Sequence, residues 1–292
     1  MLVLVFTGTS FTNRIQMELT KDQLKMAETE LRRHLPRSQQ AYGYLVLRNR
    51  VRSDPVKVFV DRWPQFSVFI CKPQCEQKGD LFKDTIVFSN NEAILEETIR
   101  KSFVIDWTRY LCIGTSLPHM EILKTVASEK GVQSHNLAVC HMMMLTDVSH
   151  LPSIDSSGIS LSSLDESHIG LVNQMWKFGK DQVAVRMIQN MIINFPSCCV
   201  LDAEGQPVSW ILTYASCAMG MLYTQPEHRG KGYAKVLVST MAKKLHSEGY
   251  PVYCFIEEEN TVSYKLFKDM GFTEDPSYRE AWFGFNDIEI KK

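Results

Sequence analysis

A glycine-rich junction near the C-terminus restricts the fold of this 292-residue chain more than any other segment. It reads YTQPEHRGKGYA and spans residues 223–234. The apolar run Met219–Tyr223 before it predicts a strand, and the amphipathic run Tyr233–Ser247 after it predicts a helix that ends near Gly249. A strand that passes through a tight turn into a helix places the two in adjacent layers, which indicates an α/β domain.

The composition of this junction predicts a site for a diphosphate group. Gly230 and Gly232 permit backbone angles and a close approach that side chains forbid. The first amides of the following helix lack internal acceptors, and the helix N-terminus carries a partial positive charge. Arg229 and Lys231 can add further positive charge. The segment matches neither GxxxxGK(S/T) nor GxGxxG, and a strand–helix turn that binds nothing is the alternative.

The second half of the chain predicts a mixed sheet flanked by helices. Its patterns follow the order strand, two helices, three strands, helix, strand, helix and strand. Besides the two runs above, they are the strands Ser160–Leu164, Ser197–Leu201, Val208–Tyr214, Val252–Ile256 and Ala281–Phe285 and the helices Glu166–Trp176, Gln182–Phe195 and Thr261–Met270. This order indicates an α/β (α+β) fold with a ligand crevice near the middle of the sheet.

The first half predicts a second, smaller module. Its elements are the helices 20–34, Glu92–Lys101 and Glu121–Lys130 and the strands Tyr42–Leu47, Val56–Val60, Phe66–Cys71 and Leu137–Leu145. The polar, turn-rich stretch 146–158 marks the boundary, so we expect modules at 17–148 and 159–292. Segment 1–16 lacks the basic start of a secretory signal and the Arg richness of a transit peptide, and we interpret it as a non-structural extension.

Charge and cysteine usage argue against several classes of protein. The net charge of -1 argues against nucleic acid or an anionic membrane as a partner. No window approaches the ~18 apolar residues of a membrane span. The eight cysteines form no CxxC pair and lie mostly in apolar runs, which indicates free buried thiols in a reducing compartment and no metal site.

Several segments resemble a known group of acyltransferases. Arg229, Gly232 and Ala234 form an Arg-x-x-Gly-x-Ala pattern that resembles the coenzyme A diphosphate motif of the GNAT acyltransferase superfamily. Residues 260–272, an Asn followed by a helical run and Gly-Phe, resemble the closing helix of that fold. Nearly the whole chain is similar to the glycine N-acyltransferase and glycine N-acyltransferase-like family. The segments that carry this similarity are Val58–Phe66, Gly170–Lys180, Phe195–Cys199, Glu204–Trp210 and Tyr223–Arg229.

The resemblance implies a GNAT-type sheet, a GNAT-related N-terminal module and an acyltransferase activity. The enzyme would move an acyl group from acyl-CoA to the amino group of glycine or another small amino acid. Acyl-CoA would be a cosubstrate, with no permanently bound cofactor. Many members of the family are mitochondrial, which implies mitochondrial residence with the cytoplasm as the alternative. We expect a monomer.

The resemblance also implies which residues hold the coenzyme. Backbone amides on the strand before the loop would meet the thioester carbonyl and the pantetheine arm, and the loop would hold the diphosphate. The implied contacts are Leu222, Tyr223, Thr224, Arg229, Gly230, Lys231, Gly232, Tyr233, Ala234 and Asn260.

Two catalytic side chains expected from the resemblance are missing. The family's glutamate on the strand before the loop corresponds to Ala218, and the tyrosine acid that many GNAT enzymes carry on the closing helix corresponds to Phe267. Glu257 and Glu258, at the end of the next strand, are candidate bases for the incoming amine. Tyr264, one helical turn before Phe267, is a candidate acid facing the sulfur.

Each candidate has a plainer alternative. Residues 257–259 can form a solvated acidic turn, Tyr264 can be an ordinary surface or core residue, and Tyr214 is a weaker candidate base. Trp176 and Phe178 can shape the acceptor or acyl pocket or belong to the core. A water chain can also deprotonate the amine, since positioning alone contributes much of the rate. Two functions therefore stay open beside the first: a coenzyme A-binding protein with little catalysis, and an enzyme for another amine such as a lysine side chain or a polyamine.

Overall fold

The computed structural model describes residues 17–51, 56–74, 84–179 and 182–286. Within these ranges the helices are α1 (Lys21–Arg32), α2 (Gln39–Arg50), α3 (Glu92–Lys101), α4 (Leu117–Glu129), α5 (Ile169–Met175), α6 (Gln182–Asn194), α7 (Tyr233–Ser247) and α8 (Thr261–Asp269). The strands are β1 (Met17–Glu18), β2 (Val56–Val60), β3 (Val68–Pro73), β4 (Thr85–Ser89), β5 (Leu111–Ser116), β6 (Ser134–Met144), β7 (Ser160–Ser162), β8 (Cys198–Leu201), β9 (Pro207–Thr213), β10 (Met219–Thr224), β11 (Tyr253–Glu257), β12 (Thr273–Glu274) and β13 (Glu280–Phe285).

One sheet runs through both halves of the chain. Its strand order is β1-β2-β3-β4-β5-β13-β6-β11-β10-β9-β8-β7, and β12 pairs with β6 beside this path. Among the described strands, β4–β5 and β10–β11 are the parallel pairs and the other neighbours are antiparallel. Parallel neighbours need a crossover connection, which contains α3 in the first pair and α7 in the second.

The last strand of each half lies beside the other half. β13 pairs with β5, where Ala281 lies opposite Thr115, and β6 pairs with β11, where Cys140 lies opposite Glu257. β13 and β6 also pair with each other. The strands therefore cross the boundary proposed at 146–158, and the division into modules 17–148 and 159–292 stays a prediction.

Helices cover both faces of the C-terminal part of the sheet. Successive strand residues point to opposite faces, so neighbouring positions on β9 report both layers. Ile211 packs in a buried cluster with Leu237 of α7. Its neighbours Trp210 and Leu212 pack on the other face with Ile188 of α6. The predicted mixed sheet flanked by helices is thus confirmed.

The local predictions are confirmed in most places and wrong in one. The helices predicted at Glu92–Lys101 and Tyr233–Ser247 have the predicted bounds. The strand predicted at Tyr42–Leu47 is wrong, because α2 spans this segment. Most of α2 is buried, so it has no polar face to reveal a helical period, and its aromatic and β-branched residues imitate a strand. The sequence patterns miss β4 and β5, and segment 1–16 lies outside the described residues.

Two further properties concern membranes and thiols. In the ranges given above, no helix combines the length and apolar character that a membrane crossing requires. Seven cysteines lie in these ranges, and all seven are free and buried. Burial raises the pKa of Cys217 to about 12, which is typical of an unreactive thiol. The prediction of free buried thiols is confirmed for these seven.

Candidate active site

The parallel strands β10 and β11 separate along their length. They share a single registered pair, Met219 opposite Cys254, at the start of both strands. Beyond this pair they diverge, and residues from both strands line a cavity of about 1040 Å³. A gap between two central strands gives a linear ligand a path into the middle of the sheet.

A β-bulge in β10 lies at the edge of this gap. On β9, Leu212 faces Gly220 and Trp210 faces Tyr223, so Met221 and Leu222 share one opposing residue. Met221 has a φ of +50°, in the left-handed region that few non-glycine residues adopt. A bulge of this kind takes backbone groups out of the ladder and re-aims them. The bulge falls beside the amides of Leu222 and Tyr223, the pair predicted to meet the thioester.

The glycine-rich loop that follows β10 ends in an uncapped helix. Gly230 and Gly232 have φ values of +78° and +79°, and a Cβ at either position would meet no atom within 4 Å. Backbone conformation therefore requires the glycines, and the space around them is open. Gly232 is the N-cap of α7 and has no side chain to accept from the first turn. Among the hydrogen bonds of the described residues, none uses the amides of residues 230–234.

The cations of the loop are arranged around these amides. Arg229 Nε donates to the carbonyl of Thr224 at 3.1 Å, and its guanidinium carbon lies 5.8 Å from the centre of the Tyr223 ring. Lys231 Nζ lies 3.4 Å from His228 Nδ1. Free amides, a helix N-terminus and two adjacent cations form a site suited to a diphosphate, as the sequence predicts.

The cavity extends from the β10–β11 gap into the N-terminal half. Its polar lining from that half consists of Gln40, Tyr44 and Arg48 of α2, Asp84 before β4, and Tyr110 before β5. The aromatic residues Trp176 and Phe178 and the methionines Met175 and Met187 line it from the C-terminal half. Of the two alternatives for Trp176 and Phe178, pocket or core, the lining agrees with the first for both residues, while Trp176 also packs against a buried cluster.

The three predicted catalytic residues occupy different surroundings. Glu257 lines the cavity at the end of β11, and Lys177 Nζ donates to its carboxylate. Glu258 accepts from Arg279 Nε at 2.7 Å and is not part of the cavity wall. The hydroxyl of Tyr264 donates to Glu274, away from the lining residues. The geometry thus brings only Glu257 of these three to the cavity.

The two positions that depart from the expected pattern are both buried. Ala218 is fully buried directly before β10, and Phe267 of α8 is buried in the cavity wall. Asn260 also lines the cavity, while its Oδ1 caps α8 by accepting from the amide of Ser263 at 3.1 Å. Helix α8 and its N-cap therefore present the apolar ring of Phe267 and the side-chain amide of Asn260 to the cavity.

A carboxylate that the sequence does not suggest lies on the opposite wall. Burial raises the pKa of Asp84 to about 6, while hydrogen bonds from Cys112 and Trp282 act in the other direction. Trp282 Nε1 donates to Asp84 Oδ2 at 2.8 Å. Trp282 belongs to β13, the last strand of the chain, so no local pattern around residue 84 could have revealed this contact.

The splayed strands, the bulge and the open helix N-terminus define an acyltransferase fold of the GNAT type, and solved structures agree. A Drosophila protein from structural genomics has 16% identity and a TM-score of 0.74 over 92% of this chain and 98% of its own. A tandem GNAT protein from the clavulanic acid biosynthesis pathway has 12% identity and a TM-score of 0.52 over 95% and 99%. At such low identity these similarities establish the fold alone.

Sequence comparison identifies the family. The model of aralkyl acyl-CoA:amino acid N-acyltransferases matches residues 17–196, and that of their C-terminal region matches 198–285. Glycine N-acyltransferases of Mus musculus and Rattus norvegicus are 32% and 31% identical, each over 89% of this chain and 95% of their own. Glycine N-phenylacetyltransferase of Bos taurus is 29% identical over the same shares. The chain belongs to the aralkyl acyl-CoA:amino acid N-acyltransferase family.

Proposed function

We propose that this protein transfers an acyl group from acyl-CoA to the amino group of glycine or another small amino acid. One observation carries the proposal: the open amides of the Gly230–Ala234 loop and the β10–β11 gap lie at the same end of β10. A coenzyme with a diphosphate and a linear arm ending in a thioester fits this arrangement. The names of the similar enzymes support glycine as the acceptor.

The donor would lie along β10. Its diphosphate would accept hydrogen bonds from the amides of residues 230–234, with Arg229 and Lys231 beside it. Its arm would follow the strand to the bulge, where the amide of Leu222 or Tyr223 would donate to the thioester oxygen. A fixed amide that meets the negative charge developing on this oxygen lowers the barrier, because it needs no reorganisation during the reaction.

The acyl group would lie in the cavity beyond the gap. Its volume of about 1040 Å³ and its apolar wall, which includes Trp176, Phe178 and Phe267, suit an aromatic or arylalkyl group. Aromatic rings favour contacts with one another. Trp176 and Phe178 already form a T-shaped pair with their ring centroids 5.4 Å apart. Benzoyl and phenylacetyl groups are therefore the first donors to test.

Glu257 would accept the proton of the attacking amine. The amine nitrogen attacks the carbonyl carbon as a free base, and a positioned carboxylate can remove its surplus proton. Of the predicted catalytic residues, Glu257 is the one in the cavity wall. Lys177, in the segment after α5, binds this carboxylate. Lys177 would therefore orient Glu257, or would separate from it when the acceptor binds.

Location and assembly complete the proposal. Family resemblance supports residence in mitochondria rather than the cytoplasm, and a monomer is the expected assembly. Imaging of the full chain with a C-terminal fluorescent tag against a mitochondrial marker tests the location. Light scattering of the purified protein tests the assembly, and a mass of twice the chain would exclude the monomer.

The decisive experiment measures products directly. Purified protein is incubated with benzoyl-CoA or phenylacetyl-CoA and glycine, with glutamine, a lysine peptide and a polyamine as competing acceptors. Thiol release and mass spectrometry of the N-acyl product report turnover. We expect N-acylglycine with the aromatic donors, and product with another acceptor alone would move the assignment to that amine.

A second function, coenzyme A binding with little catalysis, is favoured by Ala218 and Phe267, which replace two ionisable groups. Calorimetry with coenzyme A distinguishes the two functions. Binding together with turnover supports the enzyme, whereas tight binding without thiol release from any donor and acceptor supports the second function.

A further inference from the structure

Tyr214 lies at the point where the β9–β10 turn meets the gap. Its amide donates to the carbonyl of Ala218 at 2.9 Å, which closes the turn. Its ring lies over Gly220, where an added Cβ would be 2.1 Å from Cε2 of Tyr214. Only glycine at position 220 lets the ring cross β10 there. The crossing is one residue before Met221, the first residue of the bulge.

Tyr214 lies among ionisable groups of the cavity wall. Tyr214, Asp84, Cys140 and Glu257 all line this cavity. Burial raises the pKa of Tyr214 far above its ordinary value, and the carboxylates of Asp84 and Glu257 raise it further. The side chain is therefore a neutral phenol at physiological pH and can give a proton but cannot act as a phenolate base.

Hydrogen-bond roles determine where the phenol proton points. Trp176 forms a side-chain hydrogen bond with Tyr214. An indole nitrogen only donates, so Trp176 occupies a lone pair of the phenol oxygen and leaves the O–H of Tyr214 as a donor. The O–H can therefore be donated to a ligand in the cavity that Tyr214 lines.

We propose that Tyr214 is a catalytic residue that protonates the sulfur of the departing coenzyme. The inference rests on the proposed function and adds the acid that Phe267 cannot supply. The amine nitrogen forms its bond to the carbonyl carbon, the carbon–sulfur bond breaks, and its electron pair goes to sulfur. The O–H proton of Tyr214 goes to that sulfur. The proton lost by the amine passes to Glu257 and restores the phenol, so protons balance without any further reactant.

Two other tyrosines show why position matters. Tyr264 sits near Phe267, but its hydroxyl already donates to Glu274. Tyr42 of α2 is partly buried and burial raises its pKa as well, but it is not part of the cavity wall. Tyr42 therefore serves as the control, because it is a partly buried phenol outside the cavity.

The test uses Tyr214→Phe, which keeps the ring over Gly220 and removes only the hydroxyl. With benzoyl-CoA and saturating glycine we expect kcat to fall about 10²-fold, the usual contribution of a general acid. The KM for benzoyl-CoA and the affinity for coenzyme A should stay within about twofold. Tyr42→Phe, outside the cavity, should keep kcat within about twofold of the parent protein.

A second donor separates proton transfer from a merely structural role. The S-phenyl thioester of benzoic acid releases an acidic thiol, which leaves without a proton. With this donor the parent protein and Tyr214→Phe should have equal rates, each measured with glycine and with hydroxylamine. An equal loss with both donors, or no loss with benzoyl-CoA, overturns the inference while the proposed function stands. If the parent protein releases no thiol with any amine, the proposed function and this inference both fail.

Discussion

The two halves of the molecule contain the same strand–helix–strand arrangement, but only one is open to an anion. In the N-terminal half, β4 leads into α3 and then to the parallel strand β5. In the C-terminal half, β10 leads into α7 and then to the parallel strand β11. The difference lies in how each helix begins and in how regular the first strand is.

Helix α3 is capped by its own chain. Asn91 Oδ1 accepts from the amide of Ile94 at 3.1 Å, and the amide of Asn91 donates to Ser89 Oγ at 3.0 Å. Helix α7 starts at Gly232, which offers no such acceptor. A capped helix has its first amides occupied, whereas an uncapped one leaves them to a ligand. One capping residue thus separates a helix with an occupied N-terminus from a helix with an open N-terminus on a shared topology.

The parallel strand pairs of the two halves also differ in how regular their first strand is. β4 pairs with β3 without a shift in register, and β5 ends at the buried Ser116. β10 carries the bulge at Met221, and β11 ends at Glu257 in the cavity wall. The pairing of β4 with β3 is thus regular, whereas β10 carries a bulge and β11 ends in a carboxylate, both at the cavity.

The largest effect is expected from closing the open helix. Gly232→Val places a β-branched side chain at positive φ over the free amides, and we expect coenzyme A affinity to fall about 10³-fold, because several charge-assisted hydrogen bonds are lost. Calorimetric titration measures the affinity. Gly205→Val is the matched control, since Gly205 has the same φ of +79° and equally open surroundings in the β8–β9 turn. The control should lose stability but keep its coenzyme affinity, and unchanged affinity in Gly232→Val would remove the diphosphate site from this loop.

The free energy of unfolding should depend on pH through a carboxyl group where β13 pairs with β5. Glu280 of β13 is 2% exposed, and burial raises the pKa of its carboxyl to about 8, against the hydrogen bond from Tyr278. Because the folded pKa is raised, the stability that the neutral form contributes is complete below about pH 4 and is lost as pH rises through about 8. Relative to Glu280→Gln, the parent protein should lose roughly 3 kcal/mol between pH 5 and pH 8. Urea unfolding at both pH values measures this, and parallel stability curves would contradict it.

The carboxylate at the end of β11 should matter for rate alone. We expect Glu257→Gln to lower kcat about 10²-fold with unchanged coenzyme A affinity, because the amine loses its proton acceptor. Glu258→Gln is the neighbouring control: Glu258 pairs with Arg279 outside the cavity, and its variant should stay within about twofold of the parent rate. Equal rates in both variants would return the role of base to water.

The smallest effect is expected from the capped helix. Asn91→Ala should cost about 1 kcal/mol of folding free energy, the usual value of an N-cap, and leave coenzyme A affinity unchanged. Urea denaturation and calorimetry measure the two quantities. A change in coenzyme affinity would show that the N-terminal arrangement takes part in binding after all.

Local chemistry made much of the fold predictable. The period of Tyr233–Ser247 and the glycines before it predicted α7 and its open start, because an amphipathic surface helix shows its buried side in the sequence. The pattern at Tyr42–Leu47 predicts a strand and is wrong there, because α2 is buried on most sides and shows no such period. The pairing of β13 with β5 lies beyond local reasoning, since the partners are far apart in the chain.

The residues of the candidate site also differ in whether the sequence predicts them. The loop and Glu257 follow from short motifs on consecutive elements, so sequence sufficed to propose them. Asp84 and the orientation of Tyr214 depend on contacts with Trp282 and Trp176, which come from distant segments. The sequence alone offers Tyr214 as a weaker candidate base, because its donor role becomes evident only when its indole partner is known.

The pairing of β13 with β5 also has a consequence for folding during protein synthesis. Strand β5 ends at residue 116, yet its neighbour β13 starts only at residue 280. At ~5–20 residues per second, a ribosome needs roughly ten to thirty seconds to cover that distance. During this interval the nascent N-terminal half has a bare strand edge, the kind of surface that chaperones shield from aggregation. The enzyme can therefore close its central sheet only after β13 has been synthesised.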